Sequence, residues 1–120
     1  MTGTNNNLAV EATIDRAWTV AREFAAQVRI HFGPRARLVR LYGSTARGDW
    51  TPDSDIDVLV LLDHVASPDA DWLVNRAYAL GLRESGLLLQ PLFMAESDFA
   101  ELLARERLFA LEVQREGSDL

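Results

Sequence analysis

The run Val58–Leu62 constrains this chain more than any other stretch. Five successive apolar residues bounded by Asp57 and Asp63 do not fit a strand with one wet face; such a run reads as a central strand buried on both sides. A strand covered twice needs helices above and below it, so the chain must fold in mixed layers of helix and sheet. Suitable helices flank it. From Leu8 to Phe32 the apolar positions Ile14, Ala17, Trp18, Ala21, Phe24, Ala25 and Val28 recur every three or four residues, and Gly33-Pro34 ends the pattern. Ala36–Tyr42 alternates as a strand up to Gly43. Ser67 and Pro68 open a second helix that runs to about Ser85, before Gly86. Leu87–Met94 reads as a third strand, and Pro91 within it predicts an edge position, because proline donates nothing to a ladder. Ser97 caps a last helix reaching Gly117.

The expected order is helix, strand, short helical turn, strand, helix, strand, helix: an α/β (α+β) fold with a small three-stranded sheet. Residues 8–120 form one domain, and the short polar residues 1–7 read as a disordered arm. Apolar residues wrap far around the last helix, from Phe99 to Val113. That breadth fits either a deeply buried helix or contact with another chain in a homo- or hetero-oligomer.

The net charge of −6 is concentrated. Asp49, Asp53, Asp55, Asp57, Asp63, Asp69 and Asp71 all fall between Arg47 and Arg76, a stretch without arginine, lysine or glutamate. No basic patch is visible, so nucleic acid is not an expected partner. The absence of cysteine excludes disulfides and thiolate chemistry. No leader pattern or long apolar run suggests a membrane, which leaves a cytoplasmic protein as the expectation.

Within the acidic stretch, Asp55 and Asp57 stand two residues apart at the start of a strand, so their side chains share a face. Two carboxylates side by side repel unless a cation neutralises them, and Mg²⁺ favours carboxylate and phosphate oxygens. Gly43 lets a ligand approach the backbone, Ser44 and the following amides suit phosphate oxygens, and Arg47 lies one helical turn beyond Ser44. A calcium loop of the EF-hand type is excluded, because Val58 and His64 stand where it needs glycine and glutamate. His31 and His64 are isolated and read as structural or solvated. Trp50 falls in the same loop as the acids and is a candidate stacking platform.

The segment GSTARGDWTPDSDID resembles the signature of the DNA polymerase beta-like nucleotidyltransferase superfamily: Gly-Ser, ten residues, then Asp-x-Asp, with Ala46-Arg47-Gly48 after the serine. Size and element order are most similar to the minimal nucleotidyltransferases. The resemblance implies a mixed sheet, a nucleoside triphosphate such as ATP bound by Gly43 and Ser44, and two Mg²⁺ ions held by Asp55 and Asp57, which would be the catalytic residues. It also implies a partner. Many minimal nucleotidyltransferases act as antitoxins of an all-α HEPN toxin, and some transfer AMP to a tyrosine of it.

One departure stands out. The superfamily commonly carries a third carboxylate on the later strand, whereas LLLQPLFM offers only Gln90. Glutamine can lend a carbonyl oxygen to a metal but cannot serve as a base. Glu96 would substitute only if the chain bent back. This keeps open a protein that neutralises its partner by binding alone. Nucleotidylation of a small molecule is a third reading, disfavoured because those enzymes usually add a domain for the acceptor.

Overall fold

The computed structural model describes the backbone from Thr2 to Leu120 and side chains from Thr13 onward. The expected disordered arm over residues 1–7 lies outside the fully described residues. The order is α1 (Thr2–Phe32), a 3-10 turn (Gly33–Arg35), β1 (Ala36–Tyr42), α2 (Gly43–Arg47), β2 (Ile56–Leu62) and α3 (Ser67–Tyr78). A π-helical stretch (Ala79–Ser85), β3 (Leu89–Ala95), α4 (Glu96–Ala104), α5 (Leu108–Glu116) and β4 (Ser118–Asp119) follow.

The apolar run does what its composition requires. Val58–Leu62 are at most 4% exposed, in a sheet of order β3-β2-β1-β4. Alternate residues face opposite layers. Val58, Val60 and Leu62 pack with Ala21, Phe24 and Val28 of α1 and Leu73 and Ala77 of α3. Leu59 and Leu61 pack with Phe99 of α4 and Ala110 and Val113 of α5. Each such side chain, fully buried, contributes about 1.5–3 kcal/mol. β2 pairs antiparallel with β1 and parallel with β3, which makes the sheet mixed. Pro91 lies on β3, an edge strand, as its missing N–H demands.

Three expectations are corrected. The sheet has four strands rather than three, because Ser118–Asp119 pairs antiparallel with Leu41 and Arg40. Two polar residues carry no strand signal; the pairing is secured by Arg40, which bonds Asp119 and donates at 2.9 Å to the carbonyls of Val113, Gln114 and Gly117. The same arginine thereby adds a donor to carbonyls in the last turn of α5 and just beyond it. The last helix is two helices, broken at Arg105–Arg107, where Glu106 adopts φ 52°. The apolar residues wrap so widely because α4 and α5 each have a buried face of their own. The second helix is capped by Asp69 rather than by Ser67: the Asp69 carboxylate accepts the Ala66 N–H at 2.9 Å.

Among the described residues no helix is long and apolar enough to cross a membrane.

Candidate active site

β1 ends and β2 begins at the same edge of the sheet, since the two are antiparallel. Tyr42 stands opposite Asp57, and Asp57 stands opposite Gln90 on β3, so the three share one row and one face. That face carries α4 and α5, because Leu59 follows Asp57 by two residues and lies beneath those helices. Gly43 and Ser44 open α2 immediately after Tyr42. Gly43 has φ 72°, a left-handed conformation that a side chain disfavours. A Cβ at this position would fall on Asp57 Oδ2. The glycine is therefore required twice, by backbone geometry and by the carboxylate packed against it.

Asp57 is half-buried. Burial, then the nearby charge of Asp55, then that of Glu112 push its carboxyl up to about 6, while Arg47 opposes them. Tyr42 is pushed up to about 12, mainly by burial and then by Asp57 and Glu112. Asp55 lies one residue before β2 and is exposed. The structure thus sets Gly43 against Asp57, with Ser44 next to Gly43 in the chain and Asp55 close enough for its charge to act on Asp57.

Arg47 is in the neighbourhood but engaged. Its guanidinium donates at 3.3 Å to Glu112 and at 3.3 Å to Glu116, and Nε lies 3.5 Å from Asp49. The hydrogen bond it donates to Glu116 is the chief influence raising its pKa above the ordinary value. Gln90 is exposed and in register with Asp57. Glu96 is not a substitute: it starts α4, beyond the far end of β3, where it lies 3.6 Å from Arg37. Trp50 is not a stacking platform. It is 2% exposed, and its indole N–H donates to Ser54 O at 3.1 Å, which braces the loop leading to Asp55. Thr45, fully buried in α2, has a hydroxyl without a hydrogen-bond partner among the described residues.

Sequence reading missed Glu112 and Glu116. Phe109, Glu112 and Glu116 are spaced by three and four along one helical face, which is visible in the sequence. That this face overlooks Asp57 depends on how α5 docks, with Phe109 edge-on to Tyr42 at 5.6 Å between centroids.

No three of the described Asp, Glu or His side chains converge as a ready metal site. The donor set present nevertheless suits a hard divalent cation. Asp55 and Asp57 offer anionic oxygens, the donor type such an ion prefers.

Comparison with known proteins agrees with this geometry. Residues 22–116 match the nucleotidyltransferase domain family. A protein of Methanocaldococcus jannaschii named "Putative protein adenylyltransferase" is 31% identical over 78 residues, covering 65% of this chain and 73% of its own length. A crystal structure of a "putative nucleotidyltransferase" from Sulfolobus solfataricus superposes with a TM-score of 0.57 and 22% identity, covering 90% of this chain and 82% of that one. The last of these shares the fold. With the family match spanning α2, both site strands and α5, the chain belongs to the nucleotidyltransferase domain family.

Proposed function

We propose that this protein is a Mg²⁺-dependent nucleotidyltransferase that binds ATP and transfers AMP to a hydroxyl of a partner protein. The observation that carries this reading is the Asp57 carboxylate packed against the glycine that opens α2, with Asp55 two residues before it. In the transfer, the acceptor oxygen forms a bond to the α-phosphorus, the bond from that phosphorus to pyrophosphate breaks, and the hydroxyl proton leaves to solvent. Gly43 gives the Asp57 carboxylate room against the backbone, Ser44 would orient the phosphate chain, and Asp55 and Asp57 would hold the cation. Bound there, a divalent cation supplies Lewis-acid stabilisation of the charge that builds on the phosphate oxygens.

A protein acceptor is favoured over a small molecule on two grounds. The Methanocaldococcus relative is named for protein adenylylation. Beside Gln90, the exposed side chains Val74, Tyr78, Leu82 and Leu88 line an apolar groove more suited to a polypeptide than to a polar metabolite. A HEPN toxin with an acceptor tyrosine is the partner proposed from the sequence resemblance, with this chain as its antitoxin. Gln90 across from Asp57 favours one alternative, a protein of this family that neutralises the partner by binding with little turnover.

Labelled ATP, Mg²⁺ and the product of the neighbouring gene separate the two. Transfer of label to that product, abolished by combining Asp55→Asn with Asp57→Asn, supports the enzyme. A tight inhibitory complex with no label transferred refutes it.

A further inference from the structure

Asp57 lies inside β2, where paired neighbours on both sides fix its backbone. Asp55 stands one residue before the strand, at the end of a loop, with its side chain exposed. The direction of that side chain is set by the two peptide planes that meet at its Cα, because each planar peptide carries the neighbouring Cα with it. Both planes are held. On the C-terminal side the Ile56 N–H donates to Leu88 O at 2.8 Å, which ties that plane to the chain entering β3. On the N-terminal side the Ser54 carbonyl accepts the Trp50 indole N–H at 3.1 Å. Trp50 is anchored in turn, buried in the larger core together with Ile56 at the start of β2. Within the loop the Ser54 N–H donates to Thr51 O at 2.8 Å and the Thr51 N–H to Ser54 Oγ at 3.3 Å, so this turn is braced as a unit. Among the described residues, the one side-chain hydrogen bond joining that turn to the core is the bond from Trp50.

We propose that Trp50 is a positioning residue of the cation site: by holding the Ser54 carbonyl it fixes the direction in which Asp55 presents its carboxylate beside Asp57. The proposal rests on the reading of Asp55 and Asp57 as cation ligands. It accounts for an indole at a place that another large apolar side chain could fill. Tryptophan occupies a buried site and also offers an N–H to the peptide leading into the acid, which phenylalanine and leucine cannot. Groups that orient a ligand without touching the ion carry a share of metal affinity on the order of 10–100-fold.

Binding of Mn²⁺, a paramagnetic stand-in for Mg²⁺, to the full chain without nucleotide tests this by electron paramagnetic resonance. The wild type should bind saturably, and the Asp55→Asn, Asp57→Asn double variant should not. Two further variants remove the indole N–H. Replacement of Trp50 by 3-benzothienylalanine keeps the ring shape with sulfur where the N–H stands, so the melting temperature should stay close to that of the wild type. Trp50→Phe removes the same donor with a smaller ring. Both should bind Mn²⁺ at least about tenfold more weakly. Leu73→Ala, which opens a cavity in the same core from α3, should lower the melting temperature and leave Mn²⁺ affinity within about twofold of wild type. A role in packing alone would move stability and not affinity. If either N–H-free variant binds within about twofold of wild type, or if Leu73→Ala loses as much affinity as they do, the assignment of Trp50 fails while the Asp55–Asp57 reading stands. Absence of Mn²⁺ binding by the wild type overturns both.

Discussion

Asp69 controls the acid stability of the fold, although it lies outside the active site. Its carboxylate accepts two N–H groups of Arg35, at 2.7 and 3.1 Å, and the Ala66 backbone N–H at 2.9 Å. The residue is 8% exposed, so these bonds are little screened by solvent. Arg35 foremost, and then the Ala66 N–H, lower its pKa from 3.8 to about 2. At 1.36 kcal/mol for each pKa unit, that depression corresponds to about 2 kcal/mol of stability. Because the folded value lies below the unfolded one, this contribution is complete above about pH 4 and is lost as the pH falls through the folded value near 2. Asp69→Asn removes the charge and keeps a side-chain oxygen for the Ala66 N–H. Equilibrium urea unfolding should find the variant less stable by about 2 kcal/mol at pH 7, with the gap closing to well under half of that by pH 2.5. A gap that stays constant across this range would refute the charge-based account and attribute the loss to packing alone.

Other consequences are equally direct. Gly43→Ala places a methyl group on Asp57 Oδ2 at φ 72°; a loss of about 2 kcal/mol, from left-handed strain and the displaced carboxylate, should appear in thermal unfolding together with weakened nucleotide binding. Thr45→Val removes a buried hydroxyl that has no partner among the described residues while preserving its shape, and should raise stability by about 1 kcal/mol in urea titration. Gln90→Asp places an acid in register with Asp57 and should raise the rate of the proposed AMP transfer at least severalfold in the labelled-ATP assay; an unchanged rate would mean that this strand position has no part in the chemistry.

What the sequence revealed was local. Val58–Leu62 required a doubly covered strand, Pro91 required an edge, and the Gly43–Asp57 segment fixed a strand-turn-strand unit whose ends meet. What it concealed depends on long-range docking. Ser118–Asp119 becomes a strand because the returning chain is held from three sides, by Arg40, by Arg29 donating to Leu120 O, and by the Leu120 N–H donating to Val39 O. The break near Glu106 follows from no proline or glycine, so the periodicity of residues 97–117 passed for one helix. Arg47 shows the limit most clearly: its place one turn from Ser44 was legible, but its partners Glu112 and Glu116 come from the far end of the chain.

The two halves of the site are also connected to the chain differently. Gly43, Asp55 and Asp57 belong to adjacent paired strands and the short segments beside them, so their meeting depends on one local closure. Glu112 and Glu116 belong to a helix seated on the smaller of the two cores, around Leu59, Leu61, Phe99, Ala110 and Val113. Regions of one fold open with free energies ranging from near zero to the global value, and a nine-residue helix on the smaller core is expected to open more readily than the doubly covered β2. Amides of α5 should therefore exchange with solvent ahead of those of β2. On that expectation the acids at the start of β2 stay fixed while α5 opens, so a ligand that engages α5 would change the surroundings of Asp57 without unfolding the sheet.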